Sequence, residues 1–240
     1  MTTLVYLFVL FIVLGIAIAA YFMPLSDNQD DDDEHTPSPK PKTDEKKPSV
    51  FKTEKTLSEK KGAVGEQIIK VMALSQLDRQ KYIHFNNLII PSQDKTTQID
   101  NIIVSPFGIF VLEAKYFSGW IYGQAKQVNW THTLSRHSKF QFKNPLRQNY
   151  KHIKALSSLL RLPESHFHSV VVFTHRDCQL KTDLPKNVCL IRDLFNYIDE
   201  FKTEILTEPQ IQTVCQILSQ EQWQATPERL AAHIKQFQTE

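Results

Sequence analysis

Apolar residues follow three regimes along this chain. From Leu4 to Met23 they run through twenty residues without a charge, LVYLFVLFIVLGIAIAAYFM. At a rise of about 1.5 Å per residue such a helix is roughly 30 Å long, the thickness of a bilayer's hydrocarbon core. From Ser26 to about Thr56 large apolar groups become scarce. An acidic run, Asp30 to Glu34, gives way to Pro37, Pro39, Pro41 and Pro48 among lysines. Such a segment has too little to bury to offset the entropy of ordering. From Ser58 onward the apolar positions recur at helical and strand periods. This pattern divides the chain into an N-terminal transmembrane anchor (residues 1–25), a charged, proline-rich linker (26–57), a globular domain (58–205) and a C-terminal helical extension (206–240).

Within the globular part, Ile68, Ile69, Met72 and Ala73 are spaced for a helix over Ser58–Gln76. Strands are expected over Tyr82–Ile90, Thr97–Val104 and Ile109–Tyr116. The last two are separated by Ser105-Pro106-Phe107-Gly108, a tetrad suited to a type I turn. Trp120 to about Thr133 adds shorter strands or a ribbon. Asn144-Pro145 reads as a helix N-cap followed by a first-turn proline, and that helix runs to about Leu162. Strands over Ser169–Thr174 and Val188–Ile191 follow, then helices near Asp193–Phe201, Glu208–Gln220 and Pro227–Gln238. The order of the main part is α-β-β-β-α-β, a mixed α/β domain with helical additions and no internal repeat.

Charge and cysteine content refine this picture. The first 57 residues hold six lysines and nine acidic residues, and the remainder holds 22 basic and 17 acidic side chains. A mildly basic domain is compatible with a polyanionic partner. Cys178, Cys189 and Cys215 are an odd number without a CxxC pair, which argues against a disulfide framework or a structural zinc site. The histidines lack HExxH spacing, and His166 and His168 stand two apart as strand alternation requires. With six glycines and no phosphate-binding loop, no nucleotide cofactor is expected. Lys40, Lys42, Lys46 and Lys47 follow the apolar span and favour a cytoplasmic globular part on a single-pass protein of the cell inner (cytoplasmic) membrane. Ala17-Ile18-Ala19 resembles a signal-peptide cleavage site. Against that reading, Met1-Thr2-Thr3 carries no basic residue and the apolar run is long for a signal peptide.

The candidate chemistry lies in the predicted hairpin. Strand alternation puts Gln98, Asp100, Ile102 and Val104 on one face, and Ile109, Val111, Glu113 and Lys115 on one face of the next strand. If Ser105 and Gly108 close the turn opposite one another, paired residue numbers sum to 213. Asp100 then faces Glu113 and Gln98 faces Lys115, unless a bulge intervenes. Two opposed carboxylates repel, and a hard divalent cation relieves that repulsion. Lys115 beside them can hold a water or stabilise an oxyanion. The bland alternative is a solvated Glu–Lys pair on an edge strand. Glu66 lies on or beside the apolar stripe of the first helix, either turned towards this site or favoured by the helix dipole. Gln148, in the first turn of the second helix, orients water or phosphate, or merely caps the helix.

Five segments in order resemble the nuclease-related domain family: Gly62-Ala63-Val64-Gly65-Glu66, Gln98-Ile99-Asp100, Gly108-Ile109-Phe110-Val111-Leu112-Glu113-Ala114-Lys115, Gly119-Trp120-Ile121-Tyr122-Gly123 with Trp130, and Asn144-Pro145-Leu146-Arg147-Gln148-Asn149. The likeness spans about Lys60 to Leu162. It implies a restriction-endonuclease-like fold of the PD-(D/E)xK kind, with Ile-Asp standing where the broader signature has Pro-Asp. It further implies that Asp100, Glu113 and the Ala114 backbone carbonyl hold Mg²⁺ or Mn²⁺, that Lys115 assists the attacking water, and that Glu66 and Gln148 are accessory. The expected activity is metal-dependent hydrolysis of phosphodiester bonds in nucleic acid, DNA above all, at a bilayer reached through residues 4–23. The alternative is a catalytically silent, membrane-anchored binding module on the same fold.

Overall fold

The computed structural model describes residues 57–135 and 138–237. The expected transmembrane span and nearly all of the linker lie outside the described residues. Among the described residues no helix is long and apolar enough to cross a membrane.

Helix α1 (Leu57–Gln76) leads into an antiparallel run of β1 (Ile83–Ser92), β2 (Lys95–Ser105) and β3 (Gly108–Lys115). Three short strands follow, β4 (Gly119–Tyr122), β5 (Asn129–Thr133) and β6 (Lys139–Lys143), before helix α2 (Pro145–Leu160). Then come β7 (Phe167–Phe173), β8 (Cys178–Leu180), β9 (Val188–Leu190) and helices α3 (Leu194–Asp199), α4 (Glu208–Leu218) and α5 (Pro227–Lys235). The main sheet has the order β1-β2-β3-β7-β9, antiparallel as far as β3 and parallel from β3 to β9. The expected α-β-β-β-α-β order is present, and the chain is a mixed α/β protein. The shorter strands expected over Trp120–Thr133 are β4 and β5, and Cys178–Leu180, where the residue pattern predicts no strand, forms β8. These segments, with β6, form a second sheet of order β6-β5-β4-β8.

The central strand β3 is covered on both faces, which is why Ile109 to Leu112 reads as an unbroken apolar run instead of an alternation. One face meets α2 and α4 in a core containing Ile102, Val111, Leu156 and Val214. The other meets α1 and α3 through Ile69, Phe110, Leu112 and Ile198. Residues from Leu206 onward are therefore part of the packing around the main sheet: Leu206, Ile211, Val214 and Leu218 are buried in the first core. Helix α5 is held on the β1–β2 hairpin by Arg229, which donates to the Ile89 carbonyl at 2.7 Å, and by Gln236, which accepts from the Thr96 N–H at 2.9 Å.

The second sheet presses Ile121, Trp130 and Cys178 against Val171 and Phe173 of β7 in a third core. Gly123 is required there because a Cβ would stand 2.4 Å from the Trp130 ring. Asn144 then fixes where α2 begins. Its Oδ1 accepts from the Leu146 N–H (2.9 Å), and its amide donates to the carbonyls of Ala125 (3.0 Å) and Gln127 (2.6 Å). Pro145 supplies a first-turn residue with no N–H to satisfy. The helix stops at Leu160, two residues before the expected end, because Arg161 turns into the left-handed region at φ 53°. Asn149, fully buried on α2, donates to the carbonyls of Val111 (2.7 Å) and Val170 (3.2 Å), so the helix is fixed in position over β3 and β7.

Candidate functional site

The β2–β3 turn closes as expected. Ser105 pairs with Gly108, and its hydroxyl accepts from the Phe107 N–H at 3.2 Å while donating to the Gly108 carbonyl at 3.1 Å. Every recorded pair of this ladder has the register that puts Asp100 opposite Glu113, but the ladder ends one step earlier, at Asn101–Leu112. The β1–β2 ladder also skips Asp100: Asn86 pairs with Asn101 and Leu88 with Ile99, while Asn87, opposite Asp100, takes φ 55°. Strict alternation fails at this point. Ile99, and not Asp100 or Gln98, shares the first core with Ile102 and Val104. Nor does Gln98 face Lys115; its amide donates to Asn87 Oδ1 at 2.8 Å.

This break frees Asp100 from the ladder. Its Oδ2 accepts the Ala114 N–H at 3.1 Å, taking the place that a backbone carbonyl of β2 would fill in a continued sheet. In an extended strand the N–H and C=O of one residue point the same way. The Ala114 carbonyl therefore opens on the same side of β3 as Asp100.

Glu113 is 1% exposed, and both its oxygens are engaged. Lys115, two residues on and hence on the same face of β3, brings Nζ to 2.5 Å from Oε1. His152 brings Nε2 to 3.1 Å from Oε2. Because a carboxylate only accepts, Nε2 carries the proton of that bond. The other ring nitrogen, Nδ1, lies 2.9 Å from the Thr97 hydroxyl. Gln148, one turn before His152 on α2, places Oε1 3.4 Å from Lys115 Nζ.

The charges respond in opposite directions. Burial raises the Asp100 carboxyl well above the usual range, and the neighbouring charges of Glu113 and Glu66 add to the rise, with Lys115 and the Ala114 N–H opposing it. Burial also works against ionisation of Glu113, but Lys115 and His152 outweigh it and hold that carboxyl below its ordinary value. Lys115 is raised: burial disfavours its charge, and Glu113 and Asp100 more than compensate. Asp100 is thus the acid that resists ionisation, Glu113 the one that stays charged, and Lys115 a fixed cation.

Glu66 is brought electrostatically close to Asp100 by α1. Gly65 makes that approach possible, since a Cβ there would meet Thr174 Oγ1 at 2.8 Å and Tyr116 Cβ at 3.3 Å, just beyond the ends of β7 and β3. All five side chains expected at the site, Glu66, Asp100, Glu113, Lys115 and Gln148, therefore gather around the C-terminal end of β3. His152 was not expected. Its signal was a spacing of four from Gln148, which places both on one helix face, but its link to Glu113 depends on packing between distant segments.

The donor set suits a hard cation. Among the described residues no group of three His, Cys, Asp or Glu side chains is arranged to hold a metal ion, so a closed all-protein cage is absent there. Mg²⁺ does not need one, because it binds through one or two carboxylates and keeps several waters. Asp100 and Glu113 with the Ala114 carbonyl fit that requirement, and a raised acid beside two others is the repulsion a cation would relieve.

The nuclease-related domain model matches residues 61–174, which contain all six of these residues. An uncharacterized protein of Bacillus anthracis is 38% identical over 161 residues, covering 64% of this chain and 73% of the relative. No solved structure matches.

Proposed function

Because the chain belongs to the nuclease-related domain family, we propose that it is a metal-dependent nuclease that hydrolyses phosphodiester bonds, with DNA as its substrate. The observation that carries this reading is the meeting of Asp100, Glu113 and Lys115 at the point where β2 leaves β3, with Asp100 bonded to the Ala114 backbone.

Asp100, Glu113 and the Ala114 carbonyl would hold Mg²⁺ or Mn²⁺, which when bound supplies a Lewis acid and lowers the pKa of a coordinated water. Glu113 keeps two further donors in place through separate oxygens, and a carboxylate has lone pairs left for a cation. Lys115 remains protonated through neutral pH, because its pKa is raised. It therefore acts by charge, orienting a water or steadying a non-bridging phosphate oxygen, and not as the base that removes a proton. Gln148 directs that ammonium from the helix side. The departing oxygen takes its proton from solvent. The apolar run at residues 4–23 would tether this domain to the cytoplasmic face of the membrane.

The intact chain incubated with plasmid DNA should nick or degrade it in Mg²⁺ or Mn²⁺ and be inert in EDTA. Lys115→Ala should lower the rate by about 10²-fold or more. Cleavage that survives chelation, or is equal in the variant, rejects the proposal. His152 supplies a subtler test. Conserving the first ligands while removing this support should weaken Mn²⁺ binding about 10–100-fold in His152→Ala. An unchanged titration curve would reduce His152 to core packing.

A further inference from the structure

Trp120 and Tyr122 belong to the same stretch as Ile121, Gly123 and Trp130, yet the core does not absorb them. They project from the outer face of the second sheet, 40% and 37% exposed, while Ile121 between them is fully buried. The register sets Thr133 beside Trp120 and Thr131 beside Tyr122, with Lys139 and Gln141 one strand further out. On the opposite side Gln179 pairs with Trp120, and Lys181 extends Nζ to 5.3 Å from the centre of the Trp120 ring. None of β4, β5, β6 and β8 contains an aspartate or glutamate. The acids nearest β8 in sequence, Asp177 and Asp183, lie in the segments flanking it.

Trp120, Tyr122, Thr131, Thr133 and Lys139 line a pocket of about 330 Å³. Thr133 is 4% exposed, and its hydroxyl is buried without a hydrogen-bonding partner. An unpaired buried hydroxyl is costly to keep, and Thr133 is one of the residues that line this pocket. Exposed rings flanked by lysines, on strands that carry no acidic residue, have the make-up of a surface that stacks bases and neutralises phosphates. Three interstrand spacings of about 4.8 Å make the platform roughly 14 Å across, a span for a short tract of unstacked bases.

We infer that the outer face of the second sheet binds single-stranded nucleic acid, with bases on Trp120 and Tyr122 and phosphates on Lys139 and Lys181. This rests on the nuclease reading for its biological sense, since it names the form of substrate the domain holds. A duplex hides the faces of its bases from such rings, so single strands should be preferred.

The test uses the intact chain carrying Asp100→Asn, in EDTA, titrated against a fluorescein-labelled thymidine 20-mer and followed by anisotropy. Trp120→Ala should weaken binding about tenfold or more, and Tyr122→Ala similarly. Lys139→Gln should flatten the dependence of log affinity on log salt by about 0.7. All three residues are at the surface, and unchanged thermal unfolding will confirm that folding is intact. Equal affinity in Trp120→Ala, equal affinity for duplex, or a face that binds a protein and no oligonucleotide would overturn the inference. Cleavage by the unmutated chain is scored separately. Trp120-dependent binding without any Mg²⁺-dependent cleavage would keep the platform and remove the nuclease, and the reverse result would do the opposite.

Discussion

Replacing Glu113 by alanine is expected to abolish cleavage and to destabilise the fold. The catalytic loss follows from removing a carboxylate from a site with only two at its centre, and should exceed about 10²–10³-fold. The structural loss follows from burial. Glu113 is 1% exposed and takes Lys115 on one oxygen and His152 on the other. Truncation strands a largely buried ammonium and an imidazole N–H together. Breaking a buried pair in this way costs roughly 3–5 kcal/mol, reduced somewhat here because water reaches about a fifth of the Lys115 side chain. Urea unfolding and plasmid cleavage measured on the same preparation will separate the two effects. A variant as stable as the parent would mean that the Glu113–Lys115–His152 cluster contributes little to holding β3, β2 and α2 together.

Asp100→Asn should behave in the opposite way, losing activity while gaining stability without divalent cation. The fold raises the Asp100 pKa through burial and through Glu113 and Glu66. For a carboxyl raised in the folded state, the unfolded chain ionises first, so stability falls as pH climbs from the ordinary value of 3.8 to the raised one. Asparagine removes that penalty and can still accept the Ala114 N–H. The advantage of the variant should therefore be absent below about pH 3.8, grow through the window between the two values, and be complete above it. Cation works in the opposite sense: at a hundredfold excess over its Kd, Mg²⁺ should stabilise the parent by about 2.7 kcal/mol and leave the variant nearly unmoved. Thermal unfolding across pH, with and without Mg²⁺, reads all of this. Parallel curves for the two proteins would show that Asp100 carries no electrostatic strain.

Most of the scaffold could be read from residue pattern because it depends on local rules. The turn at Ser105–Gly108 sets the register of β2 on β3, and Asn144-Pro145 marks the start of α2 with one cap and one missing N–H. The arrangement at Asp100 could not be read that way. Alternation assumes a regular strand, and the strand is irregular where Asn87 takes a positive φ opposite Asp100. The second sheet escaped for a different reason. Cys178–Leu180 has three residues, too few for a period, and pairs with a strand some sixty positions earlier. His152 looked like any polar helix residue because the carboxylate it touches is 39 positions away. Long-range pairing supplied what local pattern lacked in each case.

Electron paramagnetic resonance of Mn²⁺ titrated into the intact chain and its Asp100→Asn and Glu113→Gln variants tests the metal centre most directly. One tightly bound ion per chain, displaced by Mg²⁺ and lost or greatly weakened in both variants, is the predicted result. Equal binding in all three proteins, or none in the parent, would contradict the assignment of Asp100 and Glu113 as joint ligands.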